Sequence, residues 1–131
     1  MHRVALFSLL VLAPALAQDL KFAADRPLDL THVRLDVSVD LKTKTVAGTA
    51  RLDLVALRDT DVVSLDARRL RIREVLVLRG NPLQPAKHAS AYDGERLELT
   101  LDQELARNEP LRVEVTYACV EPDRGLYFFG P

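Results

Sequence analysis

The amino-acid sequence predicts an all-β protein: an antiparallel β-sandwich or an open, curved (saddle-like) sheet of about seven strands. Apolar and polar residues alternate with a period of two over most of the chain after residue 30, which is typical of strands with one covered face. No segment shows a convincing helical period, and turn-forming residues separate the alternating runs. The polar outer faces favour antiparallel pairing.

The alternation begins with two long strands. Apolar residues recur at every second position from Val33 to Leu41, and small or apolar residues do so from Val46 to Leu54. The polar stretch Lys42-Thr43-Lys44 separates the two runs and is short enough for a tight turn. We therefore predict an antiparallel hairpin whose strands are each half-buried.

Two shorter strands follow, at residues 62–65 and 70–77. In the second of these, the apolar phase shifts between Ile72 and Val75, which predicts a β-bulge or a strand that changes face. Asn81-Pro82 then interrupts the chain, because proline cannot donate to a strand ladder and restricts the residue before it.

The remaining strands are bounded by two turn signals. Asp93-Gly94 predicts a two-residue hairpin, because both residue types tolerate positive φ. Leucines at every second position over residues 97–101 continue the pattern after it. The turn at 108–110 precedes the last clear strand, residues 111–117.

The first 17 residues differ from the rest of the chain. A basic start is followed by the apolar run Val4–Leu12, and the small residues Ala15 and Ala17 stand at the −3 and −1 positions of a signal-peptidase site. We expect residues 1–17 to be a cleaved signal peptide and residues 18–131 to be the β-domain, exported to the periplasm or the outside; the alternative is a buried N-terminal helix. The apolar run is too short for a membrane span, which needs about 20 residues.

Composition limits the classes of function. The chain has 131 residues, 48% of them apolar, and a formal net charge of −1 with acidic and basic residues interspersed. This length predicts one folded domain. No basic block is present to attract nucleic acid or an anionic membrane.

The sequence offers no candidate catalytic, metal-binding or substrate-binding residue. His32, His88 and Cys119 are the potential soft ligands after residue 17, and their spacing fits no known zinc pattern. The lone Cys119 lies in a strand-like run and is typical of a small buried apolar residue. Acidic and hydroxyl side chains are scattered over the polar faces, so no triad or carboxylate pair is indicated.

Five segments, in order, resemble one family. The segments that carry the likeness are Leu30-Thr31-His32-Val33-Arg34-Leu35-Asp36-Val37 with Lys44-Thr45-Val46-Ala47-Gly48-Thr49-Ala50, Ser64-Leu65-Asp66-Ala67 with Leu70-Arg71-Ile72, Tyr92-Asp93-Gly94-Glu95-Arg96-Leu97, Val113-Glu114-Val115-Thr116-Tyr117, and Arg124-Gly125-Leu126-Tyr127-Phe128-Phe129-Gly130-Pro131. They are similar to the N-terminal β-domain of the aminopeptidase N-type zinc metallopeptidases, over about residues 27 to 131. His32 stands where that domain's opening strand commonly has histidine, and the resemblance implies a structural role for it.

The resemblance implies a parent enzyme that removes N-terminal residues from peptides. In that family, zinc is held by the histidines of an H-E-x-x-H helix and by a further glutamate, and the motif's glutamate is the general base. None of these elements occurs in this sequence. We therefore expect a non-catalytic piece, incomplete at its C-terminal end, that holds no cofactor, braces the catalytic domain of the same polypeptide and borders its substrate cleft. Zinc and peptide substrate would belong to the full-length enzyme, and the family's amine-binding Gln or Glu would follow Pro131.

The aromatic cluster near the C-terminus is the candidate docking element. It consists of Leu126, Tyr127, Phe128 and Phe129. These side chains either fold back onto the core of this domain or face a partner domain, since exposed apolar clusters usually mark contacts. The alternative to the peptidase hypothesis is a free-standing exported β-sandwich that acts as a binding or scaffold module.

Overall fold

The computed structural model describes residues 26–123 and Phe128. The described residues form eight β-strands in two antiparallel sheets, which confirms the all-β prediction. The strands are β1 (Leu28–Asp40), β2 (Thr45–Ala56), β3 (Thr60–Asp66), β4 (Arg71–Arg79), β5 (Gln84–Pro85), β6 (His88–Tyr92), β7 (Arg96–Leu105) and β8 (Pro110–Val120). The two-residue strand β5 is not among the strands predicted from the sequence.

The larger sheet has the strand order β1-β2-β8-β4-β5, and the smaller sheet has the order β3-β7-β6. The chain therefore leaves the larger sheet after β2, returns to it at β4 and leaves it again after β5. The last long strand, β8, inserts between β2 and β4. This order joins strands that are distant in sequence and leaves β1 at one edge of the larger sheet.

The hydrophobic core lies between the two sheets. Its largest fully buried side chains come from four strands: Val63, Val77, Leu97, Leu99, Leu105, Leu111 and Val113. Alternation places these residues on the inner faces, and burial of each leucine stabilises the fold by roughly 1.5–3 kcal/mol. Leu54 and Ala56 of β2 are buried with them, so the core spans β2, β3, β4, β7 and β8.

The first hairpin forms as predicted, but β1 lacks its predicted covered face within the described residues. β1 and β2 pair antiparallel from Asp40 opposite Thr45 to Leu28 opposite Ala56. Val33, Leu35, Val37 and Val39 nevertheless remain 44–58% exposed. The physical reason is the layering: β1 is an edge strand, and of its residues only Leu28, at its start, packs against the described core.

Two local predictions have different outcomes. The bulge in β4 is confirmed, since the β4–β8 register shifts between Ile72 and Glu74. The predicted hairpin after β6 forms, but Gly94 and Glu95 are its central residues, because the Asp93 N–H donates to the Arg96 carbonyl at 3.4 Å. Only Gly94 takes a positive φ there, +95°. Asp93 instead caps the turn, because its Oδ1 accepts the Glu95 and Arg96 N–H groups at 2.8 and 2.7 Å.

No helix in the described part of the chain is long and apolar enough to cross a membrane.

Candidate interaction surface

The predicted docking cluster is only partly visible. Leu126, Tyr127 and Phe129 lie outside the described residues. Phe128 is described, and its side chain is partly buried. The surface that can be built from described side chains is therefore the one from which the chain departs toward this cluster.

The chain leaves β8 in a defined direction. Glu121 has a φ of +47°, and its N–H donates to the Lys44 carbonyl at 2.8 Å. Two residues later, Asp123 Oδ2 lies 3.2 Å from Arg68 Nη2 and 3.3 Å from Arg69 Nη1. These contacts attach the exit of β8 both to the first hairpin and to the turn between β3 and β4.

Tyr92 holds that turn in place. Its hydroxyl donates to the Ala67 carbonyl at 2.6 Å and accepts the Leu70 N–H at 2.8 Å. Both bonds satisfy backbone groups that no strand ladder could reach at this corner. The tyrosine thus joins β6 to the segment that presents the arginine pair Arg68 and Arg69.

Backbone contacts reinforce the same corner. The Ala67 N–H donates to the Glu95 carbonyl at 2.8 Å, and the Arg69 N–H donates to the Gly94 carbonyl at 2.7 Å. Arg69 adopts a φ of +55°, which turns the chain sharply into β4. Arg68 also contacts Glu95 across this corner, with Nη1 3.1 Å from Oε1.

The arginine pair keeps Asp123 charged. The hydrogen bond from Arg68 lowers the pKa of Asp123 below its usual value, partial burial opposes this effect, and Arg69 adds to the lowering. The same pairing raises the pKa of Arg68. An ionised carboxylate therefore marks the exit of the chain at neutral pH.

An apolar groove begins beside this ion pair. It has a volume of about 630 Å³. Its lining consists of Leu35, Val37, Val39, Val46, Leu70, Tyr117 and Cys119, with Arg68, Pro122 and Asp123 at one end. The groove is therefore formed by the exposed face of β1 and the last residues of β8. Pro122 and Asp123, which follow β8, form part of its wall.

The potential zinc ligands are not brought together. His32 is exposed on β1 beside Asp53, while His88 is partly buried at the start of β6, with Nδ1 3.3 Å from the Ala86 carbonyl oxygen. Cys119 is a buried free thiol in β8. Across residues 26–123 no three histidine, cysteine or acidic side chains are grouped as metal ligands. The described histidine, cysteine and acidic side chains therefore do not form a ligand set that fits a zinc ion.

A second depression, of about 450 Å³, is lined by charged residues: Asp66, Arg68, Asp93, Glu95 and Arg96. The charges largely compensate each other, since Arg68 pairs with Glu95 and Arg96 Nη2 lies 3.7 Å from Asp66 Oδ1. Such mutual pairing is typical of a solvated surface rather than of a site poised for acid–base chemistry.

Residues 29–129 match the family described as the Peptidase M1 N-terminal domain. This match spans more than half of the chain. The chain belongs to the Peptidase M1 N-terminal domain family. The M1 assignment agrees with the resemblance in the sequence, whose five segments all fall wholly or largely within the matched range.

Solved structures share the fold of this M1 N-terminal domain. A mutant of the M1 zinc metallopeptidase from Deinococcus radiodurans is 22% identical with a TM-score of 0.62, over 77% of this chain and 22% of that chain. A two-domain M1 zinc metallopeptidase bound to L-tryptophan is 21% identical with a TM-score of 0.61, over 78% of this chain and 23% of that chain. The M1 N-terminal domain described here thus spans less than a quarter of the length of either structure.

The aromatic cluster is predicted from the sequence, whereas the corner that leads to it is not. Arg68, Tyr92 and Asp123 are far apart in sequence and belong to no recognisable motif. Their one sequence signal is position, since Arg68 lies between the predicted strands at 62–65 and 70–77, and Tyr92 directly precedes the predicted Asp93-Gly94 turn. The assignment of Leu126, Tyr127, Phe128 and Phe129 to docking stays a prediction.

Proposed function

We propose that this chain is the non-catalytic N-terminal domain of an exported zinc aminopeptidase, an enzyme that removes N-terminal residues from peptides. The observation that carries the proposal is the M1 N-terminal match over residues 29–129. The relative lengths support a larger parent, because the similar structures are in total more than three times as long as this chain.

In the parent, this domain would brace the catalytic domain and border the substrate cleft. One solved relative is an M1 zinc metallopeptidase bound to a Tyr-Ser-Ala substrate, and this chain corresponds to 23% of that protein. A domain with a rigid two-sheet core is suited to such a supporting role, since sites on rigid elements are held more accurately than sites on loops. The catalytic domain of the same polypeptide would be its partner, and peptide would reach it only through that domain.

Zinc would be held entirely by the downstream part of the parent. His32 and His88 lie on different sheets, and His88 is already engaged with a backbone carbonyl. We therefore assign no residue of this domain to the metal and no step of hydrolysis to its side chains.

Export is proposed from residues 1–17, whose sequence has the basic, apolar and small-residue regions of a signal peptide. These residues lie outside the described part of the chain. N-terminal sequencing of the protein recovered from the periplasm or the medium would test this proposal, with Gln18 expected as the first residue. An N-terminus at Met1 or His2 would contradict cleavage.

The size of the native gene product tests whether this domain belongs to a larger parent polypeptide. An antibody raised against residues 18–131 should detect, in an immunoblot of the source cells, a band several times larger than this chain. A band near the mass of residues 18–131 would contradict the proposal and would make the free-standing binding module the leading hypothesis.

A peptidase assay tests the non-catalytic role. Purified chain should release no amino acid from an aminoacyl-anilide or a short peptide, with or without added zinc, whereas the full-length parent should do so. Turnover by the isolated chain that a chelator abolishes would overturn the assignment.

A further inference from the structure

The outer edge of β1 has no strand beside it in the described part of the chain. β1 is the longest of the described strands, with 13 residues, and the strand order places it at the end of the larger sheet. Alternate residues of an antiparallel edge strand direct their N–H and carbonyl groups away from the neighbouring strand, where another chain can pair with them. From His32 to Asp40, every residue of β1 is exposed.

The opposite edge of the same sheet is protected against such pairing, whereas β1 is not. β5 has only two residues, and Pro85 is one of them. A short strand that contains proline offers few hydrogen-bond donors to another chain. β1 contains neither proline nor lysine, and its register against β2 runs without interruption from His32 to Asp40. One long, regular edge and one protected edge favour a single strand-to-strand contact rather than open-ended growth.

The charges of β1 make the strand complementary to a second copy of itself. Arg34 and Asp36 lie on its polar face, on either side of Leu35, whose side chain is directed to the apolar face. In an antiparallel pair with a two-fold axis at Leu35, Arg34 of each copy is directly opposite Asp36 of the other. The symmetry therefore gives two cross-strand ion pairs, and Leu35 lies opposite its own copy.

Other two-fold registers of β1 are less favourable. An axis at Arg34 or at Asp36 would place two like charges directly opposite each other, which is destabilising. An axis at Val37 would place Arg34 opposite Asp40, but Oδ1 of Asp40 already accepts two backbone N–H groups of the following turn, at 2.8 and 3.2 Å. A shift by one residue would set the apolar face of one copy beside the polar face of the other.

Both charged side chains are accessible for this pairing. Arg34 Nε lies 3.0 Å from Asp36 Oδ2 within the chain, and the two side chains are 59% and 66% exposed. An ion pair with this exposure contributes little to stability by itself, so its charges can be shared with a second partner at small cost. In the two-fold arrangement the four charges alternate in sign around the axis at Leu35. The contacts within each chain and those between chains are therefore compatible.

We propose that two copies of this chain associate through β1, antiparallel about a two-fold axis at Leu35. The contact extends from His32 to Ser38 of each copy and joins the larger sheets of the two copies into one continuous sheet. A contact of this length is smaller than a standard protein interface, so the association is weak and depends on concentration. This inference goes beyond the proposed function, because it concerns two copies of the described strand and requires no catalytic domain.

Charge reversal tests the partner and the register. Sedimentation equilibrium of the full chain should show a monomer–dimer equilibrium. Arg34→Asp and Asp36→Arg should each weaken self-association about tenfold or more, because both cross-strand pairs become like-charged. A mixture of the two variants should recover the affinity of the unchanged chain within about threefold, since its cross-strand pairs again join opposite charges. Loss of the ion pair within each chain could not produce this recovery, because neither variant regains that pair.

Glu74→Arg is the matched control for charge reversal. Glu74 lies in the same row of the larger sheet as Asp36, but on β4, with β2 and β8 between them. At this separation of about 14 Å the charge is largely screened at physiological salt, so the affinity should change by less than about twofold. A mixture that associates no better than either variant alone would overturn the proposal. A chain that stays monomeric at every concentration would also overturn it and would leave the edge to a different partner.

Disulfide trapping tests the geometry even if a charge variant folds poorly. In the full chain carrying Cys119→Ala, Leu35→Cys should form a disulfide between two copies under mild oxidation, because residues opposite each other on the axis have Cα atoms about 4.5–5.5 Å apart. Val37→Cys is the matched control, since its two copies would lie about 14 Å apart. Trapping at Val37 that equals or exceeds trapping at Leu35, or no trapping at Leu35, would overturn the proposal. Neither result would affect the immunoblot or the peptidase assay of the parent.

Discussion

At the residue scale, a few polar side chains secure the corners that strand ladders leave open. Tyr92 is the clearest case, because one hydroxyl serves two backbone groups, the Ala67 carbonyl and the Leu70 N–H. A hydrogen bond in a partly buried position contributes about 0.5–1.5 kcal/mol, and an abandoned buried partner costs more. The corner formed by residues 67–70 therefore depends in part on a side chain from β6.

We predict that Tyr92→Phe lowers the free energy of unfolding by about 1–3 kcal/mol, because both backbone groups lose their partner. Urea unfolding followed by circular dichroism measures this loss. Tyr117→Phe is the matched control, since the described residues offer its hydroxyl no hydrogen-bond partner. Equal losses for the two variants would show that the Tyr92 hydroxyl does not stabilise the corner formed by residues 67–70.

Arg79 also secures a turn, at the opposite end of the fold, by binding a carboxylate and two backbone carbonyl groups. Its guanidinium contacts Glu109 through two bonds, Nε to Oε1 at 2.9 Å and Nη2 to Oε2 at 3.0 Å. It also donates to the carbonyl groups of Gln103 and Glu104 at 2.7 and 2.9 Å. Glu109 in turn accepts the Ala106 N–H at 3.0 Å. The network ties β4 of the larger sheet to the end of β7 and to the turn before β8.

Glu109 makes part of the stability dependent on pH. The hydrogen bond from Arg79 lowers the pKa of Glu109 below its usual value of 4.5, and partial burial opposes this effect. Because the folded state binds the proton more weakly than the unfolded state, the contribution is complete above pH 4.5 and is lost as the pH falls through the lowered pKa.

We predict that Glu109→Gln lowers the free energy of unfolding by about 1–3 kcal/mol at neutral pH, since Arg79 loses its charged partner. The variant should also lose less stability than the unchanged chain between neutral pH and pH 3, about one pH unit or more below the usual pKa of a glutamate. Urea titrations at a series of pH values measure both effects, with the exposed Glu98→Gln as the control. A variant as acid-sensitive as the unchanged chain would rule out the role assigned to Glu109.

At the element scale, the hairpin of β1 and β2 shows how one small residue permits close strand contact. A Cβ added at Gly48 would collide with the Asp36 carbonyl oxygen and would lie 3.0 Å from Val37 Cα. The obstructing atoms belong to the backbone of β1, so no side-chain movement could relieve the collision. Gly48 is therefore required by the approach of the edge strand, although glycine otherwise weakens a strand.

We predict that Gly48→Ala destabilises the chain by about 2 kcal/mol or more and loosens β1 from β2, because the backbone of β1 must move away. Relative to the unchanged chain, the variant should show faster hydrogen exchange in the β1–β2 ladder, and the increase there should be larger than in β7. Ala47→Ser, a neighbouring change on the polar face, should have little effect on either quantity. Unaltered protection of β1 in Gly48→Ala would contradict the argument.

The two faces of β2 and β8 contribute different interactions: ion pairs on the outer face and hydrophobic packing on the inner face. On the outer face, Arg51 pairs with Glu114 at 2.8 Å, and Asp53 pairs with Arg112, with Nη2 and Oδ2 3.0 Å apart. Each pair joins residues directly opposite in the ladder. Such cross-strand pairs contribute roughly 0.2–1 kcal/mol each and help to specify the register. Burial of the apolar side chains on the inner face contributes more to stability than these ion pairs do.

At the scale of the whole molecule, the core between the sheets determines stability. Leu99 in β7 is 0% exposed at the centre of the smaller sheet, whereas Leu76 in β4 is 39% exposed on the outer face of the larger sheet. The two leucines differ in burial and not in chemistry, which makes them a suitable pair for measuring how much burial contributes.

We predict that Leu99→Ala lowers the free energy of unfolding by about 2–5 kcal/mol, because it leaves a cavity between the sheets. Leu76→Ala should cost less than about 1 kcal/mol. Thermal and urea unfolding of the two variants give the comparison. Similar losses would mean that the layer between the sheets is not the main core.

The amino-acid sequence by itself determined the longer strands, their two faces, the first hairpin and the bulge near Ile72, because the period of side-chain direction along a strand is a local property. The resemblance of its five segments also indicated the family. Only the tertiary structure decided which apolar faces are covered. Val37 and Leu99 have equivalent positions in alternating patterns, yet one is 47% and the other 0% exposed. The difference arises from strand order, which places β1 at an edge and β7 over the core. Contacts such as Arg68 with Asp123, 55 residues apart, likewise depend on that order, and long-range pairing of this kind leaves no periodic signal in the sequence.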